Sequence, residues 1–163
     1  MRRRILIATL AAVSLAARTS ARAQVPDTSK PQPELPKERL VIVTRDGARH
    51  EFNVEMALQP EQQTVGLMFR PSVPADGGML FDWGPPRDST MWMRNTVAPL
   101  DMVFINQDGT IRRIAEDTVP GSLAVIPSNG PVRATLELAA GTARRLGIRV
   151  GDRVEQRVFA KAG

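Results

Sequence analysis

Short apolar runs punctuated by turn-forming dipeptides constrain this chain more than any other feature. Leu40-Val41-Ile42-Val43-Thr44 is rich in β-branched residues, Asp46-Gly47 is the strongest hairpin dipeptide, and residues 48–54 follow with Phe52 and Val54 on one face. The pattern recurs at residues 100–105, where Asn106-Gln107-Asp108-Gly109 turns the chain into residues 110–115. Further strands are predicted at residues 78–83, ended by Gly84-Pro85-Pro86, and at 90–93, 123–126, 133–138 and through Phe159, the last entered by a tight turn at Gly151-Asp152. Helical spacing is confined to two places. Pro60 and Glu61 open a helix carrying Val65, Met68 and Phe69 and ending near Arg70-Pro71, and residues 142–146 form one turn stopped by Gly147. The expected architecture is α+β and mainly β: a compact, antiparallel, partly closed β-barrel-like sheet with two short helices.

The chain's ends read differently. Arg2, Arg3 and Arg4 precede an apolar run from Ile5 to Ala17, and Ala21-Arg22-Ala23 places small residues where a signal peptidase reads them. Residues 1–23 are therefore expected to be a signal peptide cleaved after Ala23, since the run is shorter than the roughly 20 residues a bilayer span needs. The arginines also fit a loose twin-arginine export pattern, although an ordinary positively charged leader explains them equally well. Residues 24–37, with Pro26, Pro31, Pro33 and Pro36, read as a disordered or polyproline linker, and residues 38–160 as a single domain.

Removing the leader changes the electrostatics. It holds five arginines and no acid, so 17 of the 22 basic residues remain against 17 acidic ones. A formally neutral chain lacks the basic excess expected of a nucleic-acid binder. With no cysteine, the domain has neither disulfides nor thiolate chemistry. The expectation is a periplasmic or secreted monomer without a membrane span once the leader is cut, and without metal or cofactor.

The densest chemistry lies in residues 89–104, which include one of the two tryptophans, three of the seven methionines and the polar set Arg94-Asn95-Thr96. In an extended segment Trp92 and Arg94 share one face, a combination suited to a sugar ring or a carboxylate. The same residues can be read structurally, with Trp92 and Met93 in the core, Asn95-Thr96 bracing a turn and Arg94 paired with Asp101 or Glu137.

With these elements placed, the chain resembles the family of uncharacterised proteins called domain of unknown function 192. The resemblance is carried by Gly66-Leu67-Met68-Phe69-Arg70, Gly78-Met79-Leu80-Phe81, Trp92-Met93-Arg94-Asn95-Thr96, Leu100-Asp101-Met102-Val103-Phe104, Leu136-Glu137-Leu138 with Gly141, and Gly151-Asp152. It spans about residues 38–158, and a lysine is usual where Arg94 stands. The resemblance implies a compact β-rich fold in the cell envelope and no particular reaction.

Arg70, Asp101 and Glu137 are charges set in apolar blocks, so each needs a partner or a ligand. The leading expectation is a module that binds a small polar or anionic ligand, or an envelope glycan, through Trp92, Arg94, Asn95, Thr96 and Asp101, with Arg70 and Glu137 nearby. A second is a polysaccharide hydrolase using Asp101 and Glu137, which requires the carboxyls to flank one bond. A third is a protein-interaction module without a small-molecule site. Copper(I) held by thioethers such as Met91 and Met93 is the least favoured, because methionine commonly fills core gaps.

Overall fold

The computed structural model describes residues 25–159; the proposed signal peptide and its cleavage point lie outside them. Seven strands form one curled sheet: β1 (Lys37–Val43), β2 (Arg49–Ala57), β3 (Gly77–Met91), β4 (Leu100–Ile105), β5 (Ile111–Ala115), β6 (Ile126–Ala139) and β7 (Arg153–Glu155). Their spatial order is β5-β4-β6-β3-β2-β1-β7. The edge strands approach each other at one end, where Thr110 bridges Arg153 and the Val154 N–H donates to the Gly109 carbonyl at 2.8 Å. A Cβ on Gly109 would stand 2.6 Å from the Val154 oxygen, so this closure requires glycine. The result is a half-barrel, as the strand spacing led one to expect.

Both hairpins form where the turn dipeptides place them. β1 and β2 pair antiparallel with Leu40 opposite Phe52, and β4 pairs with β5. Helix α2 (Thr142–Leu146) matches its predicted bounds. Helix α1 (Pro60–Val65) is shorter than expected: the chain leaves the helix at Gly66, whose φ is +51°. Gln62 fastens its start, its Oε1 accepting the N–H groups of Leu58 and Gln59 at 2.9 and 3.0 Å.

The sequence-based strand map needs several corrections. One pair, β2 with β3, is parallel. Parallel neighbours need a crossover, and residues 58–76 supply it, laying α1 across one face of the sheet. Gly84-Pro85-Pro86 does not end a strand, because β3 runs through it to Met91. Between Asp82 and Arg87 five steps on β3 oppose two on β6, from Ala134 to Val132. The prolines occupy this bulge, where no ladder N–H is required of them. Residues 123–125 lie outside β6, and the final strand stops at Glu155, followed by a 3-10 turn at Arg157–Phe159.

The described part of the proline-rich segment packs on the domain. The Gln32 amide donates to the carbonyls of Gln62 and Gly66 at 3.1 and 2.9 Å, Leu35 packs against buried apolar residues, and the Met56 N–H donates to Pro36 O at 3.0 Å. These residues form a strap along the domain. Proline content reports stiffness and says nothing about such partners.

Both faces of the sheet are covered. Leu40, Ile42, Phe52, Val54, Val103, Ile105, Leu136 and Leu138 fill the inside of the curl. Met79, Phe81, Met93, Leu100, Met102 and Phe104 form a second core under the crossover, joined by Leu67. No helix among the described residues is long and apolar enough to cross a membrane.

Candidate functional site

The second core is open on one side. There, a cleft of about 440 Å³ lies between the crossover, the end of β3 and the turn that follows it, with walls that include Leu67, Met68, Phe81, Trp83, Trp92 and Arg94. Its volume falls in the range of small-molecule sites. The chain has two tryptophans, and both line this cleft. The rings of Phe81 and Trp83 stack at 5.6 Å, and the Trp83 indole N–H donates to the Thr135 hydroxyl at 3.1 Å.

The segment after β3 is a turn rather than the expected strand. Met93 is fully buried, and its carbonyl accepts the N–H groups of Thr96 and Gly121 at 3.0 and 3.1 Å. Asn95 takes a left-handed φ of +56°, and the Phe69 N–H donates to its carbonyl at 2.8 Å, tying the two walls of the cleft together. Its side-chain amide reaches the Thr28 carbonyl at 3.2 Å, so Asn95 holds the turn and the strap. Anchoring Met93 inward leaves Trp92 and Arg94 outside. Trp92 is 45% exposed, and the Arg94 guanidinium sits 5.4 Å from its ring centre. The two do share a surface, by stacking as cation and π-system rather than by strand alternation. Arg94 forms no ion pair with Asp101 or Glu137.

The three charges in apolar blocks meet different fates. Arg70 pairs with Glu55 at 3.1 Å in a separate depression, away from the cleft. Asp101 is fully buried, and its carboxylate accepts backbone N–H groups from Asp117, Gly141 and Ala143 at 3.0, 3.1 and 2.9 Å. It pins the loop after β5 and the start of α2 to β4. Glu137 is 4% exposed and lines the cleft, and no donor among the described residues reaches its carboxyl. Burial alone pushes its pKa up to about 8.

Register decides the hydrolase reading. Asp101 opposes Leu138 and Met102 opposes Glu137 across β4 and β6. Side chains alternate along each strand, so Asp101 faces the inner core with Val103 while Glu137 faces the second core with Met102. Two carboxyls on opposite faces of a sheet cannot flank one glycosidic bond, and that pairing is withdrawn. Met68 and Met91 line the cleft, whereas Met79, Met93 and Met102 are packed in the core; among the described residues no cluster of three His, Asp or Glu is placed to hold a metal. Thr96 completes the wall beside Arg94.

Of the residues singled out in the sequence, Trp92, Arg94, Thr96 and Glu137 line this cleft, and Phe81 and Trp83 from β3 join them. Phe81 lies in a motif already singled out, Gly78-Met79-Leu80-Phe81, but nothing in the chain announced that β3 would continue past Trp83 and bring it to the same wall.

A curled seven-stranded sheet with a crossover roofing its second core defines the class, and sequence comparison agrees. The signature of DUF192, described as uncharacterized ACR, spans residues 41–156, and the chain belongs to that family. It is similar to a crystal structure from Sinorhizobium meliloti 1021 named for a suggested role as a transcription regulator, with 49% identity, TM-score 0.76 and coverage of 78% of this chain and 98% of that one. It is also similar to a protein of unknown function from Novosphingobium aromaticivorans, with 40% identity, TM-score 0.73 and coverage of 82% and 94%. No protein of curated function matches the chain.

Proposed function

We propose that this chain is an exported, monomeric binding module of the cell envelope, whose cleft takes a small polar ligand or one ring of an envelope glycan. The observation that carries the reading is the convergence of both tryptophans with Arg94 and Glu137 on one cleft, in a chain that has no other tryptophan. Aromatic walls supply contact area at little conformational cost, and a few polar groups set orientation. Arg94, at the mouth, suits an anionic or hydroxyl-bearing end of the ligand. Export rests on the leader-like residues 1–23, and the formal neutrality of the remainder argues against extending a transcriptional role from the Sinorhizobium protein to this chain.

Because both tryptophans line the cleft, indole emission reports on it directly. In a titration with a library of small ring compounds, binders should shift that emission and perturb amide resonances of residues 63–68, 90–96 and 137. Fractionated cells should yield a periplasmic or secreted protein beginning at Gln24. A library without a single binder would sink the ligand reading, and a cytoplasmic protein retaining residues 1–23 would sink export.

A second reading, a protein-interaction face, is supported by the exposed Val97, Val119, Leu123 and Val125, of which Val125 also lines the cleft. It is favoured if the resonances that respond to added protein cluster on those valines and Leu123 and not on residue 137.

A further inference from the structure

Glu137 is an anomaly that the proposed binding role does not by itself explain. On β3 its cross-strand neighbour is Met79, and on β4 it is Met102, so the carboxyl rises from a thioether-lined patch. On its own strand Thr135 shares its face and is already engaged by Trp83. The crossover brings Gln63, Leu67 and Met68 to the cleft, and the turn after β3 brings Arg94. Among the described residues lining the cleft, Arg94 is the one other ionisable group, and its guanidinium rests on Trp92.

With no donor among the described residues, the Glu137 carboxyl depends on whatever occupies the cleft for its hydrogen bonds. Asparagine, glutamine or serine would offer a hydrogen bond at the floor with a smaller desolvation penalty. An acid is the fitting choice where the incoming group carries a positive charge and several N–H donors. Resting on the binding reading above, we infer that the cleft selects ligands bearing a protonated, N–H-containing ammonium group on a ring-sized body, with the ammonium on the Glu137 carboxylate and the ring against Trp92 and Phe81. A quaternary ammonium has no N–H to give those oxygens, so primary amines should bind best.

Proton balance makes the pairing visible. At pH 7 the free site holds a proton on Glu137, because burial raises its pKa to about 8. An ammonium ion that pairs with the carboxylate must displace that proton to solvent, on the order of one per ligand bound. An alcohol or a carboxylate displaces none.

The test uses three probes with one ring: phenethylamine, 2-phenylethanol and 3-phenylpropionate. Each is titrated into the full mature protein by calorimetry at pH 7 in two buffers of different ionisation enthalpy. The expected result is tightest binding by phenethylamine with about one proton released, affinity rising roughly tenfold per pH unit below pH 8, and loss of at least tenfold in Glu137→Gln with no proton release. Circular dichroism of that variant confirms that it is folded, and Arg39→Ala, exposed on β1 and paired with Glu51, serves as a folded control with unchanged amine affinity. If the alcohol or the carboxylate binds more tightly, or the amine binds without proton release, the ammonium assignment is overturned while the cleft remains a binding site. If none of the three binds and tryptophan emission is unmoved, both fall.

Discussion

Asp101 and Glu137 stand one rung apart on neighbouring strands, each nearly or fully shut off from solvent, and each set between apolar residues in the chain. Asp101 accepts three backbone N–H groups, whereas Glu137 accepts none from the described residues. A strand's alternation sends one toward the inner core, where loop ends converge with spare donors, and the other toward a cleft from which no donor among the described residues reaches it. The contrast separates a carboxylate that holds the fold from a carboxyl that the described residues leave without a donor. Burial alone did not distinguish them; the donors around each did.

The largest expected effect tests the first half of that contrast. Asp101→Ala strands three buried N–H groups and unfastens the start of α2, at a cost of about 4 kcal/mol, with a fall in melting temperature on the order of 10 °C or more. Thermal denaturation followed by circular dichroism measures it. A loss below about 1 kcal/mol would mean that water replaces the carboxylate readily, and Asp101 would then be no more structural than Glu137.

Glu137 should behave in the opposite sense. Unfolded, its carboxyl titrates near the ordinary glutamate value of 4.5; folded, burial holds it up to about 8. Between those values the native state keeps a proton that the unfolded chain has released. Stability therefore falls as pH rises through the window, by at most about 1.4 kcal/mol per unit, and levels off above it. Glu137→Gln removes this slope, leaving the protein about 3 kcal/mol more stable than wild type at pH 7 and nearly equal to it at pH 4.5. Melting temperatures taken across that range decide the matter, and parallel curves for the two proteins would refute the unpartnered-acid account.

Much of this was legible before any coordinates, and the limits follow from physics. Asp46-Gly47 and Asn106-Gln107-Asp108-Gly109 announced their hairpins because turn chemistry is local. The dense block around Trp92 announced a constrained segment because anchoring Met93 and projecting Trp92 and Arg94 is encoded within five residues. Gly84-Pro85-Pro86 misled because proline ends a strand only where its missing N–H is needed, and a bulge does not need it. The parallel β2–β3 pair depends on where the crossover lands, and the strap depends on Gln32 finding carbonyls about thirty residues away in sequence. Asp101 and Glu137 looked alike because a carboxyl's role is set by donors from distant segments. Only the pairing register assigns them to opposite faces.

The smallest effect on stability is the sharpest probe of how Glu137 is set apart. Arg94 is exposed and forms no ion pair among the described residues, with its guanidinium over Trp92, so Arg94→Ala should cost no more than about 1 kcal/mol. Desolvation alone accounts for the raised pKa of Glu137, with no contribution from any charge. The variant should therefore weaken binding of ligands with an anionic end yet leave the pH window of stability where it is in wild type. An upward move of that window in Arg94→Ala would show the arginine's field reaching the floor of the cleft and favouring the ionised acid. Mouth and floor would then be one coupled electrostatic unit, and Glu137 would be less isolated than its burial implies. An unmoved window, measured by the same melting series, would leave the acid to burial alone and the arginine to the ligand.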